Sequence, residues 1–393
     1  MLVADLIAHL DSIAPLKYAA DWDNVGLILG SPEQPVDGPI LLTIDLTQAV
    51  AEEAVKEQAS AIVAYHPPLF EPVRRLVSGP GSTPAQRVAL TVIHAGIAVY
   101  SPHTALDAAV GGVTDWLADG VLDPSSKAAR AGGGRVHAGA DRRALMAHAE
   151  HAGTQEVKIV TFVPATELEM IRGALASAGA GLIGLYDVCS FTTPGTGTFR
   201  GGSESSPAVG TPGRLESVQE VRLEMVCSRR ALGLALQTLR SFHPYEEPAV
   251  DVYSLEARPD RSAGVGRRIT LDTPASLDEV CARVKRHLCV PAVQLAAPGG
   301  DASLRVSRIG LVPGAGGGVA GAALADGCEL FITGEMKHHE VAAAVASGMA
   351  VILGGHTATE RGYLPSLKGR LQVLVPSVPV IIARTDRDPV VLK

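Results

Sequence analysis

Four short apolar runs of this chain each lead into a residue that can bind a metal or carry a proton. Ala61–Tyr65 runs into His66 within AYHPPLF, and Ile97–Tyr100 leads to His103 and Asp107 within SPHTALD. Glu329–Thr333 leads to Glu335, His338 and His339 within TGEMKHHE, and Ala350–Leu353 leads to His356 and Glu360 within GGHTATE. Helical patterns lie between the runs: Gln86–Ala95 stops at Gly96, Asp107 opens one toward Ala118, Glu335–Ser347 stops at Gly348, and Thr357–Leu371 follows the last run. Continuous apolar runs are strands buried on both faces. Their alternation with helices implies an α/β fold with a parallel sheet and right-handed crossovers. Such sheets bind ligands beyond the carboxyl ends of their strands, where these residues stand.

The alternation occupies the two ends of the 393-residue chain, which read as halves of one body. The middle differs. Arg130–Ala140 (RAGGGRVHAGA) is small and polar enough to be a linker. Strands at Lys158–Val163, Asp187–Phe191, Val221–Val226 and Ala249–Leu255, with helices at Glu167–Ala178 and Ala231–Phe242, approach the β-α-β-β-α-β order of a ferredoxin-like unit. The Gly/Ser/Pro/Thr-rich stretch Thr192–Gly213 reads as a loop. The division is therefore an N-terminal α/β half over 1–130, an inserted domain over 131–256, and a C-terminal α/β half over 257–393 that completes the site.

Forty-one acidic against 34 basic residues leave a charge of -7 with no Lys/Arg block, which excludes a nucleic-acid footprint or an anionic membrane surface. The longest uncharged stretch, Ile309–Ala325, is broken by Pro313 and six glycines and does not read as a membrane span. The start, MLVADLIAHLDS, has no basic region ahead of its apolar residues, so no signal peptide is expected. Five cysteines without a CxxC pair read as reduced thiols, and the expected compartment is the cytoplasm.

His356 and Glu360, four apart at a helix start, share one face. Imidazole plus carboxylate suits zinc, manganese or iron(II); the bland alternative is a helix cap and a solvated first-turn acid. His338 and His339 point about 100° apart on a helix, so at most one faces a site there. His103 reads as a donor that orients a ligand. The GAGGG turn at Gly314–Gly318 reads either as a phosphate cradle or as a plain tight turn; it lacks the P-loop lysine and the GxGxxG spacing, which excludes a dinucleotide enzyme.

Together, DWDNVGLILG (Asp21–Gly30), YHPPLF (Tyr65–Phe70), HTALDAAVGGV (His103–Val113), ITGEMKHHE (Ile332–Glu340) and GGHTATERGYL (Gly354–Leu364) resemble the GTP cyclohydrolase 1 type 2 homologue family. Its members are also called Ngg-interacting-factor-three-like dinuclear metal proteins. The middle segment, with YDVCSF, GTGTFR and HPYEEPAVDVY, is similar to the PII-like insert of the longer bacterial members. The resemblance implies two divalent ions in a cleft between two α/β halves. His66, Asp107, His356 and Glu360 would be their ligands, with Glu360 bridging. It also implies a toroidal homohexamer. The chain departs from the family pattern at Tyr65-His66-Pro67, where members commonly carry His-His-Pro. One metal position then binds weakly, stays empty, or uses Tyr65 as tyrosinate.

Two functions follow. One is a metal-dependent hydrolase acting on a nucleotide, as in ring opening of GTP, with Glu335 as general base. The other is a non-enzymatic metal carrier or regulatory scaffold, which the insert and the missing histidine favour. Histidine ligation predicts that metal binding fades as pH falls below about 6.5.

Overall fold

The computed structural model describes residues 1–123 and 142–390, so the expected linker Arg130–Ala140 lies outside the described residues. The chain divides into two compact units, Met1–His148 with Asp260–Lys393, and Ala149–Pro259.

The first unit contains two five-stranded sheets. The first runs Gly26–Leu29, Ala98–Ser101, Ala61–Ala64, Ile40–Thr43, Val380–Ile382, parallel except for the antiparallel Gly26–Leu29 edge. Strand side chains alternate between faces, which explains the continuous apolar runs. Ile40, Leu42, Ala61, Val63, Ala98 and Tyr100 join one core with residues of helices Val3–Ile13 and Leu364–Leu374. Leu41, Ile62, Ala64 and Val99 join the opposite core with residues of helices Gln48–Lys56 and Pro84–His94.

The second sheet runs Arg267–Ser276, Arg305–Ala315, Leu330–Glu335, Ala350–Leu353, Gln294–Ala296, with a parallel centre and antiparallel edges. Ile269, Ile309, Leu311, Ile332 and Ile352 pack with helix Leu277–Leu288 and with Leu117 and Ala118 of helix Val113–Asp119. The two sheets do not divide the chain at one point. The C-terminal strand Val380–Ile382 pairs with Ile40–Thr43 in the first sheet, while the N-terminal helix Val113–Asp119 packs on the second. Arg267 locks this exchange. It is 1% exposed, and its Nε donates to Asp115 Oδ1 at 2.9 Å. Its Nη groups donate to the carbonyls of Gly264, Gly266, Ala108 and Ala109.

Three helices differ from the sequence expectation. Asp107 does not open a helix toward Ala118; it lies inside helix His103–Ala108, and a new helix starts at Val113. Gly111 and Gly112 cause the break: Gly111 has φ +71°, and a Cβ on Gly112 would fall 1.8 Å from the Leu106 carbonyl oxygen. Helix Thr357–Leu371 is two pieces, Ala358–Arg361 and Leu364–Leu374, the second opened by Pro365. The Glu335–Ser347 helix begins only at His338, because the strand continues through Glu335.

The second unit has the element order β-α-β-β-α-β and one antiparallel sheet, Phe191–Arg200, Leu215–Cys227, Val157–Pro164, Val250–Ser254. Helices Leu168–Ser177 and Arg229–Phe242 cover its apolar face through Ile171, Leu175, Ala235 and Leu239. The first part of the expected loop Thr192–Gly213 is a strand: Phe191–Arg200 pairs along its whole length with Leu215–Cys227, and the loop is confined to the residues after Arg200. As an edge strand it tolerates Pro194 and two glycines, which would weaken a central one. Among the described residues no helix is long and apolar enough to cross a membrane, and all five cysteines are free.

Candidate metal centre

Three of the predicted groups meet within the first unit. His66 follows the strand Ala61–Ala64 of one sheet; His356 and Glu360 follow the strand Ala350–Leu353 of the other. The ligand atoms of His66, His356 and Glu360 all lie within 4.8 Å of one another. Glu360 sits between the imidazoles, Oε2 3.6 Å from His66 Nε2 and Oε1 3.5 Å from His356 Nε2. These separations exceed a hydrogen bond. They match the roughly 3.4 Å between two donors that each lie about 2.1 Å from one tetrahedral ion. Glu360 is 2% exposed, and its Oε2 has no hydrogen-bond partner. A buried carboxylate oxygen left without a donor is costly unless a cation compensates it. The donor set thus fits a divalent ion of the zinc, manganese or iron class.

The far side of each imidazole is held by a carboxylate. His66 Nδ1 bonds Asp45 Oδ1 at 2.9 Å, His356 Nδ1 bonds Glu335 Oε1 at 3.0 Å, and His103 Nδ1 bonds Asp23 Oδ1 at 2.8 Å. Such partners orient a ring so that Nε2 faces the ion. Arg361 braces this arrangement, with Nη1 2.6 Å from Asp386 Oδ2 and Nη2 3.4 Å from Asp45 Oδ2. Asp386 in turn accepts from the Ile44 amide at 2.8 Å.

Charge is concentrated here. Burial by itself would lower the His66 pKa, but the bond to Asp45 and the nearby charges of Glu360 and Asp45 outweigh it and push the ring up to about 10. Burial also acts to raise Asp45, yet its bond to His66 and the nearby Arg361 leave it below the usual carboxylate range. Burial pushes Asp107 up to about 7 against its bond from Tyr65. Tyr65 is raised well above an ordinary phenol by burial and by Asp107 and Glu360.

Of the remaining predicted residues, Tyr65, Asp107, His103 and Glu335 adjoin this group, and His338 and His339 do not. Tyr65 is 3% exposed and donates to Asp107 Oδ1 at 2.6 Å. The His103 ring lies edge-on to Tyr65 and to His66, with centroids 5.4 and 5.3 Å away. Glu335 is 61% exposed at its side chain. His338 and His339 are both exposed in the first turn of helix His338–Ala346 and stand apart from the triple. The glycine turn serves the centre by being small. A Cβ on Gly314 would lie 2.5 Å from Glu360 Oε1 and 3.2 Å from His356 Nε2, and one on Gly317 would lie 2.1 Å from Glu340 Oε2. Carboxylates, rather than an open cradle, fill the space against these two glycines.

Asp45, Asp23, Arg361 and Asp386 are functional groups that the sequence reading passed over. Asp45 follows the strand Ile40–Thr43 by two residues, so the rule that found His66 and His356 also points to it. On its other side, His356 lines a cavity of about 1000 Å³, together with Gly334, Glu335, Arg361 and Asp386.

The sequence model of the family described as Duf34/NIF3 (NGG1p interacting factor 3) matches residues 1–389. The chain is 31% identical over 387 residues to the GTP cyclohydrolase 1 type 2 homolog of Bacillus subtilis, covering 98% of this chain and 96% of that one. It is 34% identical over 366 residues to the protein of that name in Mycobacterium tuberculosis, covering 91% and 88%. Among solved structures, a Bacillus cereus protein related to NIF3 aligns over 100% of this chain and 99% of its own, with a TM-score of 0.62 and 27% identity.

Proposed function

This chain belongs to the Duf34/NIF3 family, and we propose that it is a divalent-metal-binding protein that acts as a metal-dependent hydrolase on a nucleotide. The observation that carries the metal reading is the buried, unpartnered Glu360 oxygen set between two imidazole nitrogens. His66, His356 and Glu360 would hold the ion. Zinc, manganese or iron would supply there a Lewis acid that polarises a substrate oxygen and acidifies water. Asp45 and Glu335 keep the two rings turned to it. The cavity beside His356 is large enough for a nucleotide. The relatives' name, GTP cyclohydrolase 1 type 2 homolog, supplies the substrate class and ring opening as the reaction. Glu335 is the proposed base: its exposed carboxylate lines the cavity and takes a proton there.

A second reading, a metal carrier or regulatory scaffold, draws on a different observation. His356 is 36% exposed at its side chain, so the ion is open to exchange with a competing chelator. Metal analysis of untagged protein followed by a nucleotide turnover screen separates the two. The hydrolase reading expects turnover of GTP that is lost in His356→Ala along with the metal. It also expects turnover to fall in Glu335→Gln with the metal retained, because the amide oxygen still accepts from His356 Nδ1 but no longer takes a proton. Exchangeable metal with no turnover of any nucleotide sinks the hydrolase and leaves the carrier. The homohexamer belongs to the same proposal; light scattering in solution should give the mass of six chains.

A further inference from the structure

We infer that each chain holds one metal ion, and that the Tyr65–Asp107 hydrogen bond closes the place where a second would sit. The inference rests on the metal reading above and concerns its count. His66 and His356 turn Nε2 atoms toward Glu360, and with it they form the one group of three donors within mutual reach among the described residues. Asp107 is near enough for its charge to act on Glu360 but is outside that group, and its Oδ1 accepts the Tyr65 hydroxyl at 2.6 Å.

A phenol hydroxyl brings a hydrogen to this carboxylate, where a neutral imidazole at position 65 would bring a lone pair that a cation can share. For Asp107 to ligate a second ion through this oxygen, the hydrogen bond must break inside a buried site and the Tyr65 ring must move. The ring is packed in the core with Val63, Ala98 and Tyr100, and Ser101 Oγ donates to its carbonyl at 2.8 Å. Leaving a buried donor unmade is expensive. His103 does not substitute for the missing nitrogen, because it joins no group of three donors among the described residues. The position is therefore filled by a satisfied donor–acceptor pair, and a two-ion clamp on attacking and leaving atoms has no second ion.

The test is an ion count. Untagged protein is equilibrated with zinc, freed of excess, and measured by elemental analysis, with a calorimetric zinc titration of the same samples. The expected counts are one ion per chain for the wild type, one for Asp107→Asn, none for His356→Ala, and two for Tyr65→His. The Tyr65→His/Asp107→Asn double variant should return to one. Circular dichroism checks that each variant is folded. Two ions in the wild type, falling to one in Asp107→Asn, overturn the inference and leave the metal reading standing. A folded Tyr65→His that still binds one ion also overturns it, because Tyr65 is then not what excludes the second. No ion in the wild type, or one that survives His356→Ala, overturns the metal reading and the inference with it. If Tyr65→His fails to fold, the wild-type and Asp107→Asn counts decide.

Discussion

The proton on His66 sets how metal affinity depends on pH. In the metal-free chain that ring is pushed up to about 10, because Asp45 at Nδ1 and Glu360 at Nε2 both favour imidazolium. A cation that takes Nε2 must expel this proton. The three units between pH 7 and about 10 amount to roughly 4 kcal/mol, or a ~1000-fold handicap on affinity at neutral pH. Apparent affinity should therefore rise about tenfold per pH unit from 7 to 9, with close to one proton released per ion bound. Sequence reasoning from an ordinary histidine puts the fall below about pH 6.5 instead. Competition titration against a chelator of known affinity, in two buffers of different ionisation enthalpy, measures both slope and proton count. Asp45→Asn removes one of the two anions that hold the proton, so its rise should level off at lower pH. An affinity that stays flat within threefold between pH 7 and 9 refutes the argument.

The same groups set the stability of the metal-free chain, with a definite sign. His66 is raised, so its contribution is full below about pH 6.5 and is lost as pH climbs through about 10. Asp107 is raised to about 7, so the fold favours its protonated form, and that contribution fades as pH rises from about 4 through 7. The melting temperature of chelated protein should fall between pH 5 and 9, while added metal stabilises most at the alkaline end.

Three further outcomes test other parts of the structure. Gly314→Ala should lower metal affinity at least tenfold and destabilise the fold, since its Cβ meets Glu360 and His356 and its backbone has φ +62°; wild-type affinity by calorimetry contradicts the packing argument. Arg267→Leu should cost about 3–5 kcal/mol in denaturant unfolding, because it takes from the buried Asp115 its nearest cation and from the carbonyls of Ala108 and Ala109 their donor; a loss under 1 kcal/mol would mean the lock is dispensable. Replacing residues 149–259 by a short Gly/Ser bridge should leave metal stoichiometry unchanged, since His66, His356 and Glu360 all lie in the other unit; a folded but metal-free product would show that the insert helps build the centre.

The ligand-bearing strand ends were legible because each is local. Ile62 and Val63 face opposite cores within four residues of His66, so burial on both faces and the residue that follows are written side by side. What was not legible depends on distant pairings. The edge strand Phe191–Arg200 carries the glycine and proline of a loop, and only its pairing with Leu215–Cys227 makes it a strand. Val380–Ile382 looks like the end of the C-terminal half, yet its partner is Ile40–Thr43, more than 300 residues earlier. Arg267 looks like a surface cation until Asp115 closes on it from 152 positions away.

Tyr65 shows why this limit matters for chemistry as well as for fold. Beside His66 in the sequence it reads as a missing imidazole, a defect in a two-ion site. Its partner is Asp107, 42 residues on, and together they form a closed pair rather than a gap. The carboxylate that a second ion would recruit already has its donor, whereas Glu360 Oε2, in a residue 2% exposed, has none. Both are acids at strand ends and look alike in the sequence. The presence or absence of a fixed hydrogen-bond donor separates them, and that difference decides which of the two carboxylates is left to a cation.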